Sequence, residues 1–455
     1  MTHQSAFSDY VARLREFIRF SMAPRDVAPQ NGSVEDGFNG LARELFTLQF
    51  RHNENYRLFC QVQKIVPQKI DRWTEIPAMP AAGFKEFDLT SLQEEERTRV
   101  FYSSGTTGQT PSRHFHDTES LSVYEGSLLS WFQASFLGEM VCVSEPVRDY
   151  AFPAKEHSAG QPSSPRLRGG TTSARQARPS PPAEGGEGEK YLNVDTQGGT
   201  RSARLPWAKF WLPLWGAGVE KKPAAWFVML TPPAAQAPHS SLVHMFETIA
   251  REFAPSDSSF TGCTEGNGDW SLDLNKTIAL LTEAVATHRS VMLMGTAFNF
   301  VHLLDFLKEN KMPIKLPDGS RVLETGGYKG RSRVLPKAEL HALITEWLGV
   351  PRSRIVCEYG MSELSSQAYD HPAASEERVF HFPPWARARI VSPETGREVG
   401  EGETGLIRIF DLANVRSVMA IQTEDLGVRR GDGFELIGRA AQAEPRGCSL
   451  MSGTK

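Results

Sequence analysis

Tyr102-Ser103-Ser104-Gly105-Thr106-Thr107-Gly108-Gln109-Thr110-Pro111-Ser112 follows directly on the strand-like run Thr98-Arg99-Val100-Phe101. Its glycines let the backbone turn N–H groups toward an anion, and its hydroxyls add donors without bulk. That is the composition of a loop that wraps phosphates. No Gly-Lys-Ser/Thr closes it, so it is not a Walker A loop. A plain Ser/Gly turn would share the composition, so the decision falls to the motifs that accompany the loop.

The first of these is Arg354-Ile355-Val356-Cys357-Glu358-Tyr359-Gly360-Met361-Ser362-Glu363-Leu364. Its short apolar run predicts a buried strand, and a glycine turn follows. A helix is then expected, with Ser362 at its N-cap and Glu363 close behind. Further on come Gln422-Thr423-Glu424-Asp425-Leu426-Gly427 and Leu436-Ile437-Gly438-Arg439. In this order the three motifs resemble the adenylate-forming superfamily, which activates carboxylates with ATP. Three segments narrow the match: Glu324-Thr325-Gly326-Gly327-Tyr328-Lys329-Gly330-Arg331, the run Glu358 to Gln367, and Arg446-Gly447-Cys448-Ser449-Leu450. Together they look like the LuxE-type acyl-protein synthetases, the fatty-acid-activating component of the bioluminescence fatty acid reductase. The similarity runs from roughly residue 7 to the end, lapsing over one insertion. Light production does not follow from it.

The resemblance implies an α/β fold of the adenylate-forming large-domain type, with mainly parallel sheets flanked by helices and a small β-subdomain. It implies ATP and Mg²⁺ as cofactors, a long-chain fatty acid as substrate and an acyl-reductase as partner protein. By residue, Ser103, Ser104, Gly105, Thr106, Thr107 and Gly108 would hold the triphosphate. Gly326 and Gly327 would let the backbone approach the nucleotide, and Tyr359, with Gly360 after it, would stack on adenine. Ser362 would reach the α-phosphate and Glu363 would hold Mg²⁺, a metal suited to one carboxylate plus phosphate oxygens. Asp425 would bind the ribose hydroxyls and Arg439 the ribose-phosphate end. The superfamily usually places a lysine near the end of the phosphate loop; this chain has Pro111-Ser112-Arg113 there. Arg113 is then either the replacement cation or a solvated surface charge.

Most carboxylate-activating relatives carry a further, lysine-bearing domain after the Gly-Arg motif. Only Ala440 to Lys455 remains here, so no C-terminal lysine-bearing domain is expected and a different acyl acceptor is needed. The tail offers Cys448, nine residues beyond Arg439. At about 3.3 Å per residue that reach is about 30 Å. A thiolate is an effective nucleophile toward an activated acyl group, and Arg446 would favour it. Cys357, flanked by apolar strand residues, is expected to be buried and inert. Two rivals remain: a ligase that transfers to coenzyme A or a carrier protein, and a nucleotide-binding scaffold without catalysis.

The 455 residues can bury a large core, and the formal charge of −4 is small for that length. Basic and acidic residues are mixed throughout, so no nucleic-acid partner is indicated. The N-terminus, with Asp9, Arg13, Arg15 and Glu16 among its apolar positions, predicts an amphipathic helix and lacks a signal peptide's apolar segment. No run of about 18 apolar residues predicts a membrane span. Five scattered cysteines without CxxC spacing argue against a disulfide framework or a zinc site, so a cytoplasmic protein with reduced thiols is the simplest expectation.

Residues 1–95 predict a mainly helical region, with Phe7, Val11, Leu14 and Ile18, then Leu41, Leu45 and Leu48, at helical spacing. Residues 96–378 predict the α/β core, with strands at Trp226 to Leu230, Ser290 to Gly295, Val322 to Glu324 and Ile355 to Cys357 alternating with helices. The stretch 151–204, rich in Pro, Gly, Ser, Arg and Glu, predicts a disordered insertion. The aromatic run Trp207 to Trp215 after it is either a packing segment or a binding patch. Gly295-Thr296-Ala297-Phe298 suits an acyl channel or simple helix core. Short strands separated by Gly and Pro over 379–439 predict the β-subdomain, and 440–455 a mobile tail.

Overall fold

A computed structural model describes residues 3–22, 33–103, 110–137, 225–254, 256–266, 269–326, 335–371 and 378–440. The insertion, the aromatic run Trp207 to Trp215 and the tail from 441 lie outside the described residues. The helices are α1 (His3–Ser21), α2 (Val34–His52), α3 (Glu54–Val62), α4 (Gly83–Glu86), α5 (Thr118–Phe132), α6 (Ser241–Phe253), α7 (Leu274–Ala286), α8 (Ala297–Glu309) and α9 (Lys337–Leu348). In the first half the strands are β1 (Met79–Pro80), β2 (Arg99–Tyr102), β3 (Arg113–His116), β4 (Trp226–Met229), β5 (Ser258–Phe260), β6 (Gly262–Thr264), β7 (Trp270–Leu272) and β8 (Val291–Thr296). They continue with β9 (Arg321–Thr325), β10 (Ile355–Tyr359), β11 (Ala368–His371), β12 (Val379–His381), β13 (Ala386–Val391), β14 (Thr404–Asp411), β15 (Ala420–Arg430) and β16 (Gly433–Arg439).

Twelve strands form one sheet in the order β13-β14-β15-β16-β12-β11-β10-β9-β8-β4-β5, with β1 added in parallel to β15. The half from β5 to β10 is parallel. Beyond β10 the pairing turns antiparallel, through β11 and β12 to the hairpins of β13 to β16. The parallel strands are apolar on both faces because helices cover both. Val228, Leu293, Val322 and Ile355 face a core shared with Leu281, Phe300, Leu304, Leu340 and Ile344 of α7 to α9. Phe227, Met292, Leu323 and Val356 face the opposite core, shared with Tyr124, Leu128, Phe246 and Ile249 of α5 and α6. Strand alternation of period two thus sorts one run of apolar residues into two cores. Ala297 of the run Gly295-Thr296-Ala297-Phe298, with Phe300 and Leu304 after it, belongs to the α7–α9 core.

The N-terminal helices brace the segment that follows β14. Ser33 caps α2, its hydroxyl accepting from the Asp36 N–H, and the apolar stripe Phe38, Leu41, Leu45, Phe46 and Leu48 is buried. On the same helix Gln49, fully buried, donates from Nε2 to the carbonyls of Asn414 (2.7 Å) and Val415 (3.2 Å) and accepts from the Met419 N–H (3.0 Å). Tyr10 donates to the Leu412 carbonyl at 3.0 Å. Gln49→Ala leaves three buried backbone groups unpaired. It is expected to lower unfolding stability by about 2–4 kcal/mol, measured by urea denaturation.

Candidate active site

Strands β2 and β3 pair antiparallel, Tyr102 opposite Arg113, and present the Ser/Thr/Gly loop between them. Residues 104–109 lie outside the described residues, and with them Ser104, Gly105, Thr106, Thr107 and Gly108. The neck of the loop is described. Ser103 N–H donates to the Ser112 carbonyl (3.2 Å), and the Ser103 hydroxyl accepts from the Ser112 N–H (2.9 Å). The Arg113 guanidinium pairs with Asp88 at 3.2 Å, a carboxylate that also holds Arg97 at 2.9 Å.

The neck rests on the Tyr-Gly-Met-Ser-Glu turn. Ser112 Oγ lies 3.4 Å from Ser362 Oγ, and His114 Nδ1 lies 2.9 Å from the Ser362 carbonyl oxygen. Ser362 donates in turn to Glu363 Oε2 at 3.1 Å. Glu363 is 6% exposed. Burial pushes its carboxyl above the ordinary range, against hydrogen bonds from Ser112 and Ser362 and the positive charge of Arg439.

No helix starts at Ser362, contrary to the sequence-based expectation. Residues 361–366 form turns and a bend, with Leu364 N–H bonded to the Met361 carbonyl at 3.1 Å. Tyr359 at the end of β10 pairs with Ala368 at the start of β11, so the chain must reverse over 360–367 and has no room to wind. Asp411 holds this reversal, accepting from the Ser365 N–H (2.9 Å) and the Ser366 hydroxyl (2.8 Å). Asn414 Nδ2 donates to the Glu363 carbonyl at 2.9 Å. The segment braced by Gln49 therefore braces the Glu363 turn.

The remaining expected residues gather on the other side of the turn. Tyr359 donates its hydroxyl to Asp425 Oδ2 at 2.8 Å. Its ring meets Phe434 edge-on, with Phe380 and Phe382 nearby. Asp425 on β15 sits opposite Arg439 on β16, whose Nε lies 3.8 Å from Asp425 Oδ1, while the guanidinium end is largely open to solvent. Burial raises the Asp425 carboxyl, and the hydrogen bond from Tyr359 and the charge of Arg439 oppose the rise. Gly326 follows β9 with φ +67°, a backbone state that favours glycine. Gly327, and Cys448 with Arg446, lie outside the described residues. Cys357 is buried, and burial pushes its thiol well above the ordinary range.

Two residues at the same strand ends escaped the sequence reading. Glu358 is buried at the end of β10 and accepts a hydrogen bond from the Thr325 hydroxyl at the end of β9. A Cβ at position 360 would run into Glu358 Oε1, so a larger residue there would have to displace the Glu358 carboxylate. The available signal was a carboxylate inside the apolar run Ile-Val-Cys-Glu-Tyr. Burial pushes the Glu358 carboxyl from 4.5 up to about 7; the Thr325 hydrogen bond opposes this and the nearby Glu324 charge adds to it. A carboxyl with a raised folded-state value holds its proton more tightly when folded. Its favourable contribution is present below the unfolded value and is lost as pH rises through the folded one. From pH 4.5 to 7, wild type is therefore expected to lose stability relative to Glu358→Gln, by about 3 kcal/mol, and to lose no more above that window. Urea denaturation of both proteins across this range checks it. Burial also pushes His114 down to about 4 and His116 well below its ordinary value, but both proteins share these rings.

Loop neck, acidic turn and Tyr359–Asp425–Arg439 cluster converge at the carboxyl ends of β9 and β10, where open α/β sheets bind ligands. The fold is that of the adenylate-forming ligases. A 2-hydroxyisobutyryl-CoA ligase, whose structure is in the postadenylation state in complex with 2-HIB-AMP, superposes with a TM-score of 0.53 at 10% identity, over 92% of this chain and 73% of that one. Within that class the chain belongs to the family described as acyl-protein synthetase, LuxE, which matches residues 31–131 and 241–455. The long-chain-fatty-acid–luciferin-component ligase of Aliivibrio fischeri is 27% identical over 191 residues, 39% of this chain and 49% of the relative. The ligase of the same name from Vibrio harveyi is 21% identical over 188 residues, again 39% and 49%. The chain thus spans about half the length of these relatives.

Proposed function

We propose that the chain is an ATP-dependent acyl-protein synthetase that activates a long-chain fatty acid. The observation that carries this is the joining of the phosphate-loop neck to Glu363 through Ser112 and Ser362, beside Tyr359, Asp425 and Arg439. A carboxylate oxygen of the acid attacks the α-phosphorus of ATP, the bond to the β-phosphate oxygen breaks, and pyrophosphate leaves. Both reactants are anions, so the site must align them and neutralise charge. The loop from Ser103 to Gly108 would hold the triphosphate. The ring of Tyr359 would carry adenine, and Asp425 and Arg439 would take the ribose end.

Mg²⁺ fits the residues present. Among the described residues no three His, Cys, Asp or Glu side chains form a metal cage, while Glu363 is a single buried carboxylate whose ionised form a cation would favour. One carboxylate plus phosphate oxygens suits this ion, which when bound would neutralise phosphate charge.

In the second half-reaction the Cys448 thiolate attacks the acyl carbonyl carbon of acyl-AMP, AMP leaves, and the thiol proton passes to solvent. A partner acyl-reductase would then draw on the thioester. No helix among the described residues is long and apolar enough to cross a membrane. The test is incubation with ATP and radiolabelled fatty acids of graded length. Carboxylate-dependent ATP–pyrophosphate exchange and hydroxylamine-sensitive label on the protein are expected. A soluble acyl-CoA without protein label would favour the coenzyme A ligase, and ATP binding without exchange would leave only a scaffold.

A further inference from the structure

We propose that His114 is a positioning residue for adenylation: its Nδ1–H bond to the Ser362 carbonyl fixes the spacing between the phosphate-loop hairpin and the Glu363 carboxylate. The proposal rests on the reading of that loop and turn as the nucleotide site. His114 and His116 alternate onto the buried face of β3, in phase with buried Ser112 just before it, and the His114 side chain reaches the turn two residues after Ser112 does. His114 is 2% exposed. Its Nδ1 lies 2.9 Å from a carbonyl oxygen, an acceptor only, so Nδ1 carries the hydrogen. The ring is held between Phe84, edge-on at 6.4 Å, and His116 at 4.3 Å between centroids.

Ser362 therefore receives the hairpin twice. Its hydroxyl meets Ser112 at 3.4 Å and then donates to Glu363, so that contact can swing about one side-chain torsion. The His114 bond acts on the main chain of Ser362 and leaves no such freedom. Phosphate and carboxylate must stand at one separation if they are to share a cation, and a misplacement of about 1 Å in such a site can cost about a hundredfold in rate.

A residue that only filled space would be replaced by any side chain of similar bulk. One that positions must return its donor to the same point. The His114→Asn variant puts an amide N–H near the place of Nδ1, whereas His114→Gln carries the same amide one carbon further, near the place of Nε2. We expect His114→Asn to keep exchange within a few-fold of wild type. For His114→Gln we expect a fall in kcat for exchange of about tenfold or more, with a raised half-saturating Mg²⁺ concentration, at a melting temperature no lower than that of the Asn variant. Equal exchange in the two variants, or loss that only tracks melting temperature, overturns the proposal.

Calorimetric titration of ATP with and without Mg²⁺ reads the same spacing without turnover. His114→Gln should lose most of the affinity gain that Mg²⁺ gives wild type, and an undiminished gain overturns the proposal. If wild type binds ATP with that gain yet exchanges nothing, the adenylation reading fails while the His114 contact still stands or falls on the titration. If wild type binds no ATP, both fail.

Discussion

Glu363→Ala is expected to lower carboxylate-dependent ATP–pyrophosphate exchange by about a hundredfold or more, since it removes the carboxylate that Ser362 joins to the loop neck. Stability should move the other way. Burial raises the Glu363 carboxyl, so in the absence of a cation the ionised side chain is a cost to the fold at neutral pH. The Glu363→Gln variant keeps the shape, removes the charge, and should unfold at the same temperature as wild type or higher while losing exchange to a similar degree. Scanning calorimetry beside the exchange assay separates the two effects. A well-folded Glu363→Gln enzyme with normal exchange would remove Glu363 from the metal site.

Cys448→Ser should divide the two half-reactions. The change exchanges a thiol for a hydroxyl, a far poorer nucleophile at neutral pH, and alters none of the residues proposed to bind the nucleotide. Hydroxylamine-sensitive acyl labelling of the protein is expected to disappear while pyrophosphate exchange continues. Asp425→Ala should weaken both together, because it removes the acceptor of the Tyr359 hydroxyl as well as the partner of Arg439. Labelling of the Cys448→Ser protein at the normal rate would move the acceptor elsewhere and make transfer to coenzyme A or a carrier protein the leading reading.

Much of the candidate site could be proposed from the sequence because its parts are local. Phosphate loops are recognised from glycines and hydroxyls in one short run. The neighbours Tyr359, Gly360, Ser362 and Glu363 arrive together whatever the rest of the chain does. The apolar runs at Trp226, Val291, Val322 and Ile355 announced parallel strands because a strand covered by helices on both faces reads as a nearly continuous apolar run. Helix α6 is likewise a local matter: Ser240 sits just before an amphipathic stretch, and its hydroxyl accepts from the Val243 N–H.

The turn at Ser362 shows where local reasoning stops. Ser-Glu after a glycine is a good helix start in isolation, and the chain does not wind there, because β11 returns beside β10 and Asp411 takes the serine donors from a strand far along the sequence. Glu358 and His114 were missed for the same reason. What makes them part of the site is a hydroxyl on β9 and a carbonyl on the turn, neither of which is near them in the chain. Arg113 stands beside the loop in sequence and pairs with Asp88 in space. The amino-acid sequence by itself determined the family, the main strand and helix pattern and the candidates for nucleotide contact, since those depend on periodicity and on short runs of chemistry. Only the tertiary structure decided which of them touch, which carboxyls are pushed upward by burial and what braces Glu363, because contact and desolvation belong to pairs of residues that the fold alone brings together.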